Sequence, residues 1–141
     1  MENLDEINYY KCLIATENIN IKSCSEAVEN LELRMGELRT LIGAIYSKRR
    51  IEKMHIDLMK RIEKELSIIE VKLAVYKNKV IKDGGKIVPY FEKLEDYKDE
   101  YVFKKSKFVS RVNRCQELNS ALTVKTKNFI FENEIEVAEV K

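Results

Sequence analysis

Apolar residues recur every three or four positions along most of this chain, a spacing that belongs to helices carrying one apolar stripe. Val28, Leu31, Met35, Leu38, Ile42 and Ile45 mark the first stretch. After a gap over Lys48-Arg49-Arg50 the stripe resumes at Ile51, Leu58, Ile62, Leu66, Ile69, Leu73, Tyr76 and Val80. This later set averages nearer to about 3.67 residues per step than to 3.5, which predicts a straighter or weakly right-handed course. A third run, Phe91, Leu94, Lys98, Tyr101, Lys105, Phe108, Val112, Cys115, Asn119 and Leu122, alternates steps of three and four. Half of its positions are wholly apolar, and the other half hold Lys98, Lys105 and Asn119, polar residues of the kind that fix register and partner.

The strongest interruption is Asp83-Gly84-Gly85, followed by the only proline, Pro89. Glycine permits positive φ and ends a helix, and proline suits the first turn of the next. The expected fold is all-α: an elongated coiled-coil helical hairpin or small open helical bundle. Its parts are a short helix or helix extension over 1–22, a long amphipathic helix over 23–83, a bend over 84–88, a second amphipathic helix over 89–122 and an acidic, aliphatic tail over 123–141. Ser23-x-x-Glu26 has capping-box form and would separate a first helix from the second. Leu4, Ile7, Ile14, Ile21 and Val28, however, keep one register and favour a single helix.

Charge supports an exposed helical rod more than a compact globule. Charged residues make up 35% of the chain, yet 26 basic and 24 acidic side chains leave a net charge of only +2, so no global field draws it to nucleic acid or membrane. The charges are striped: acids dominate before residue 48, and bases dominate from 48 to 82. If the chain folds back at the glycines, Glu92, Glu95, Asp96, Asp99 and Glu100 approach Lys72, Lys77, Lys79 and Lys82, favouring an antiparallel arrangement.

Cys12, Cys24 and Cys115 are odd in number and widely spaced, which predicts a reduced, intracellular protein, cytoplasmic or nuclear. The acidic start and the lack of a long apolar run predict neither signal peptide nor membrane span.

Enzyme chemistry finds little purchase. His55 is the only histidine and sits on a helix with no nucleophile context. Glu52-Lys53-Met54-His55 matches a di-iron E-x-x-H motif only once, and Asp83-Gly84-Gly85-Lys86 lacks the spacing of a phosphate loop. A non-enzyme with no cofactor, no metal and no small-molecule substrate is expected.

Three features point to partners. The stripe Val28, Leu31, Met35, Leu38, Ile42 and Ile45 lies where the first arm outruns an antiparallel second arm of equal rise per residue, so it is expected to dock partner helices, from a second copy or another protein. Tyr97 and Phe103 lie off the second arm's seam and are expected at the same kind of interface. Lys48, Arg49, Arg50 and Lys53, with Lys104, Lys105, Lys107, Arg111 and Arg114, form basic blocks suited to a microtubule, nucleic acid or anionic membrane; this is the second reading.

In the tail, Ile135, Val137 and Val140 alternate with acids in a pattern that loosely resembles a SUMO-interacting motif, which adds a strand to its partner's sheet. The segment VPYFEKLEDYKDEY, residues 88 to 101, resembles a stretch of the coiled-coil proteins of the synaptonemal-complex central element. That resemblance implies a nuclear, meiotic scaffold binding other coiled coils through its N-terminal helices. The expected function is thus a scaffold or adaptor subunit within a multiprotein complex.

Overall fold

The computed structural model describes residues 4–87 and 94–139, without the side chains of 136–139, and it is a small all-α bundle. Helix α1 spans Leu4–Tyr46, α2 Lys53–Gly85 and α3 Glu95–Glu139. None of the described residues makes a helix long and apolar enough to cross a membrane. Pro89, Phe91 and Glu92 lie outside the described residues.

The first helix runs unbroken from residue 4, because Ile7, Ile14, Ile21, Val28, Met35 and Ile42 repeat every seven residues and hold one face inward. The capping-box form at Ser23 is not used. The expected single helix over 23–83 is instead two helices. Ser47 N–H donates to the Gly43 carbonyl at 3.1 Å and Lys48 N–H to the Ile45 carbonyl at 3.1 Å, occupying the last acceptors of α1. Beyond the like charges of Lys48, Arg49 and Arg50, Glu52 opens α2: its carbonyl accepts from His55 N–H at 3.0 Å, while its own N–H donates to His55 Nδ1 at 2.9 Å. The second bond is the return half of a capping box, with an imidazole where the box carries a carboxylate. His55 is thereby assigned a role in starting a helix.

Helix α2 ends in a tight turn, with Lys86 N–H on the Asp83 carbonyl and Ile87 N–H on that of Gly84. Neither Gly84 nor Gly85 takes a positive φ. Gly84 is required for another reason: a Cβ there would overlap the buried Tyr101 hydroxyl of α3. The expected boundary at residue 122 is also absent, since α3 continues to Glu139. The Thr123 and Thr126 hydroxyls donate to the carbonyls one turn back, at Asn119 (2.8 Å) and Leu122 (2.7 Å), so they are satisfied within the helix.

The chain divides into two compact units. In the first, residues 1–29 and 74–113, Ile14, Ile21, Cys24 and Val28 of α1 are buried together with Val80 and Ile87 and with Tyr101, Phe108 and Val112 of α3. Lys11 of α1 lies over the Tyr97 ring at the start of α3, 5.6 Å from its centroid, and residues 18–25 of α1 meet 104–111 of α3 further along, so these two helices run in the same direction.

In the second unit, residues 30–73 and 114–141, the buried set is Met35, Leu38, Ile42 and Ile45, then Ile56, Met59, Ile62, Leu66, Ile69 and Leu73, then Cys115, Leu122, Phe129 and Ile130. Arg34 pairs with Glu65 across α1 and α2. The Tyr46 ring meets Phe129 edge-on at 5.1 Å, and its hydroxyl donates to the Lys125 carbonyl at 2.8 Å. Here α2 is antiparallel to both neighbours. Met59, not Leu58, is the core residue, and from it the buried steps are three, four, three, four; the basis for the longer average period disappears.

Candidate functional site

The residues expected to dock partner helices are mostly inside the chain's own core. Val28, Met35, Leu38 and Ile42 are 0% exposed and Ile45 is 4% exposed, while Leu31 is half-buried. This corrects the expectation that the stripe outruns its cover. Two features supply the cover in the second unit: the break at residues 47–52, which turns α2 back along α1, and the continuation of α3 past Leu122, which brings in Thr126, Phe129 and Ile130.

The basic residues are parted in an informative way. Lys48, Arg49, Arg50 and Lys53 are exposed at the junction of α1 and α2 in the second unit, where Arg114 is exposed on α3. Lys105 is half-buried, its ammonium 6.0 Å from the Tyr101 ring centroid. Lys104, Lys107 and Arg111, by contrast, share one wall of a concavity in the first unit. Its volume is about 440 Å3, and it is lined by Asn18, Ile19, Ile21, Lys22 and Ser25 of α1 and by Lys104, Lys107, Phe108 and Arg111 of α3.

Geometry explains why these side chains meet. Positions 104, 107 and 111 fall on one stripe of α3, and 18, 22 and 25 on one stripe of α1, at the three- and four-residue spacing that aligns helical neighbours. Ile21 and Phe108 reach the groove from the core side and are buried, forming an apolar floor, while Ile19 stands 65% exposed at the rim. Asn18 Oδ1 is buried there without a hydrogen-bond partner. Lys104 pairs with Glu100 one turn back at 2.8 Å, a contact largely open to solvent. No carboxylate is among the lining residues, and Lys22 and Lys107 stand exposed on opposite walls.

Lys22 was not singled out from sequence. It is one base in a stretch dominated by acids, and only the pairing of α1 with α3 brings it opposite the 104–111 block.

The first unit also encloses a polar cluster around Glu17. Burial, and then the negative charge of Asp83, push the Glu17 carboxyl above its ordinary value, opposed by Asn20, Lys86 and Lys79. Burial likewise raises the Tyr101 phenol, with Glu17 and Asp83 adding to it, and the Cys24 thiol. In the second unit the guanidinium of Arg34 holds the Glu65 carboxyl below its ordinary value through hydrogen bonds, one of them 2.9 Å long. No grouping of three or more metal-binding side chains occurs among the described residues.

Tyr97 is 38% and Phe103 68% exposed on α3. Ile135 and Val137 belong to α3, not to the extended segment that the resemblance to a SUMO-interacting motif implies; Ile135 is 57% exposed. Val140 lies outside the described residues. No protein-family model, curated protein or solved structure matches this chain.

Proposed function

We propose that the protein is a non-enzymatic helical adaptor whose first unit receives an acidic amphipathic helix in the groove between α1 and α3. The observation that carries this reading is the composition of that groove: a buried apolar floor between walls bearing Lys22, Lys104, Lys107 and Arg111. Exposed Lys107 of α3 and Lys22 of α1, on opposite walls, match acids on the two flanks of a helix lying in the groove, and the floor accepts that helix's aliphatic side chains. Partner binding thus moves from the buried stripe of α1 to the outside of the bundle.

Binding of a bare polyanion is the rival, since the same cations would serve it. The two differ in what the floor contributes. Titration of the full chain with an acidic amphipathic helical peptide, followed by fluorescence anisotropy, is expected to saturate. Polyglutamate and a single-stranded oligonucleotide of equal charge are expected to bind at least about tenfold more weakly, with a steep loss in salt. Lys107→Glu is expected to abolish peptide binding with unchanged helicity. Equal affinity for all three ligands would instead make the groove a polyanion site, and no binding of any would remove it as a site.

A further inference from the structure

We infer that a second copy of this chain docks antiparallel along the outer face of α3 in the second unit, giving a two-fold symmetric dimer. The inference stands apart from the groove, which belongs to the first unit. Val124, Phe131 and Ile135 are 58%, 74% and 57% exposed. With Asn128 they recur at steps of four, three and four, which places them on one stripe of α3. Thr126, Phe129 and Ile130 are buried on the opposite side of the same turns. The outward stripe is therefore open to solvent, and its large apolar side chains gain burial from a second helix laid along it.

The flanking charges say what that helix is. Lys125 and Glu132 border the stripe on one side, Lys127 and Glu134 on the other, and all four are exposed. When Ile135 of one copy lies opposite Val124 of the other, Phe131 faces Asn128 in an antiparallel seam. Each copy's Lys125 then lies beside the other's Glu132, and each Lys127 beside the other's Glu134, because like flanks meet when two helices run in opposite directions. Sliding the copies by seven residues one way sets Lys125 and Lys127 against themselves, and sliding them the other way does the same to Glu132 and Glu134. A parallel pairing joins Lys127 to Glu132 but leaves Lys125 and Glu134 out. The bases precede the acids along both flanks, so the pattern is complementary to its own reverse.

Two of these side chains are also held within the chain. Lys60 of α2 pairs with Glu134 Oε1 at 2.6 Å, and Lys125 Nζ lies 4.8 Å from the centroid of the Tyr46 ring of α1. Neither contact exhausts the group: Glu134 has a second carboxylate oxygen, and an ammonium over a ring face keeps N–H donors.

The seam from 124 to 135 is about 17 Å long at about 1.5 Å per residue. Its area falls below the roughly 800 Å2 per partner of a standard interface, so the dimer is weak and forms with rising concentration. The contact is isologous: both copies use the same face, and assembly stops at two.

Sedimentation equilibrium of the full chain tests this. The weight-average mass is expected to climb from that of one chain, 16.6 kDa, towards a plateau at twice that value between about 10 μM and about 1 mM. A Phe131→Glu, Ile135→Glu variant, altered at exposed positions only, is expected to stay monomeric with unchanged helicity. Lys127→Glu and Glu134→Lys are each expected to weaken the dimer at least about tenfold, since each turns two attractions into repulsions. Mixed in equal amounts, these two are expected to recover association to within about threefold of wild type, because their heterodimer restores every pair. A wild-type chain still monomeric at about 1 mM, growth past the dimer, or an unaffected Phe131→Glu, Ile135→Glu variant would each overturn the inference. A Glu134→Lys chain that dimerises as wild type does, or a mixture that fails to recover, would overturn the antiparallel arrangement.

Discussion

Asn119 Nδ2 of α3 donates to the Leu66 carbonyl of α2 at 3.2 Å, in the buried centre of the second unit. The same amide lies 3.7 Å from Met35 Sδ of α1, and the Thr123 hydroxyl approaches Asn119 Oδ1 at 3.4 Å. One side chain, 2% exposed, thus touches all three helices of its unit with its polar atoms satisfied.

A buried amide of this kind specifies alignment more than it stabilises. Asn119→Leu is expected to leave unfolding free energy unchanged or raise it by about 1 kcal/mol, since Leu66 keeps its helical hydrogen bond and apolar burial increases. The cost appears in uniqueness: amide NMR spectra of the variant are expected to broaden or double as α3 samples neighbouring registers. A loss above about 2 kcal/mol with sharp spectra would show that the amide holds the bundle together instead.

Glu65 gives the second unit a stability that acid removes. Its folded carboxyl sits below the ordinary value of 4.5 because Arg34 donates to it. The contribution is therefore complete above the unfolded value and is lost as pH falls through the folded one. Glu65→Gln is expected to lower the melting temperature at pH 7, and the gap to wild type is expected to close in acid. Both side chains are over a third exposed, and the effect is expected to shrink in high salt as well. Thermal melts across pH 2 to 7 read this directly.

Glu17 in the first unit carries the opposite sign. Its carboxyl is raised above 4.5 by burial and by Asp83, so the folded state binds a proton more readily than the unfolded chain. Stability is highest below the unfolded value and declines as pH rises through the folded one. Glu17 Oε2 is also buried without a hydrogen bond. Glu17→Gln is expected to stabilise the protein at pH 7 by roughly 1 kcal/mol, the gain vanishing in acid. Urea titrations at pH 4 and pH 7 separate the two cases; a destabilised variant at pH 7 would mean that the charge is held by Lys79 and Lys86 after all.

The helical class and most core positions were legible because burial needs only a period. Tyr101, Phe108, Val112, Cys115, Asn119 and Leu122 are all buried where the three-and-four spacing puts them. The turn at 47–52 was not, because it contains neither glycine nor proline. Its signals were the six-residue skip from Ile45 to Ile51 and a cap built from a histidine. Missing that turn made Leu38 and Ile42 look uncovered. The tail's conformation was not legible for a different reason: β-branched Thr123, Val124 and Thr126 leave strand and helix both open, and helical back-bonding by the threonine hydroxyls with burial of Thr126 decides for helix. Of the groove, the 104–111 block could be read from sequence. Its opposite wall could not, since Lys22 joins it only through tertiary pairing.

Gly84 of α2 lies close against the Tyr101 phenol of α3 in the first unit. A Cβ at position 84 would overlap the phenol oxygen and lie 2.9 Å from the ring carbon that bears it. Alanine is the better helix former by about 1 kcal/mol, so without that neighbour Gly84→Ala would stabilise α2. With the Tyr101 ring 2% exposed and hemmed in, overpacking prevails, and a net loss of about 1 to 3 kcal/mol is expected in urea unfolding. Tyr101→Phe in the Gly84→Ala background removes the overlapping oxygen but not the close ring carbon, so it is expected to restore part of the loss. Gly85→Ala meets nothing within 4 Å and serves as the control, near neutral or slightly stabilising. Equal effects at 84 and 85 would show that helix propensity, rather than the phenol, governs this end of α2.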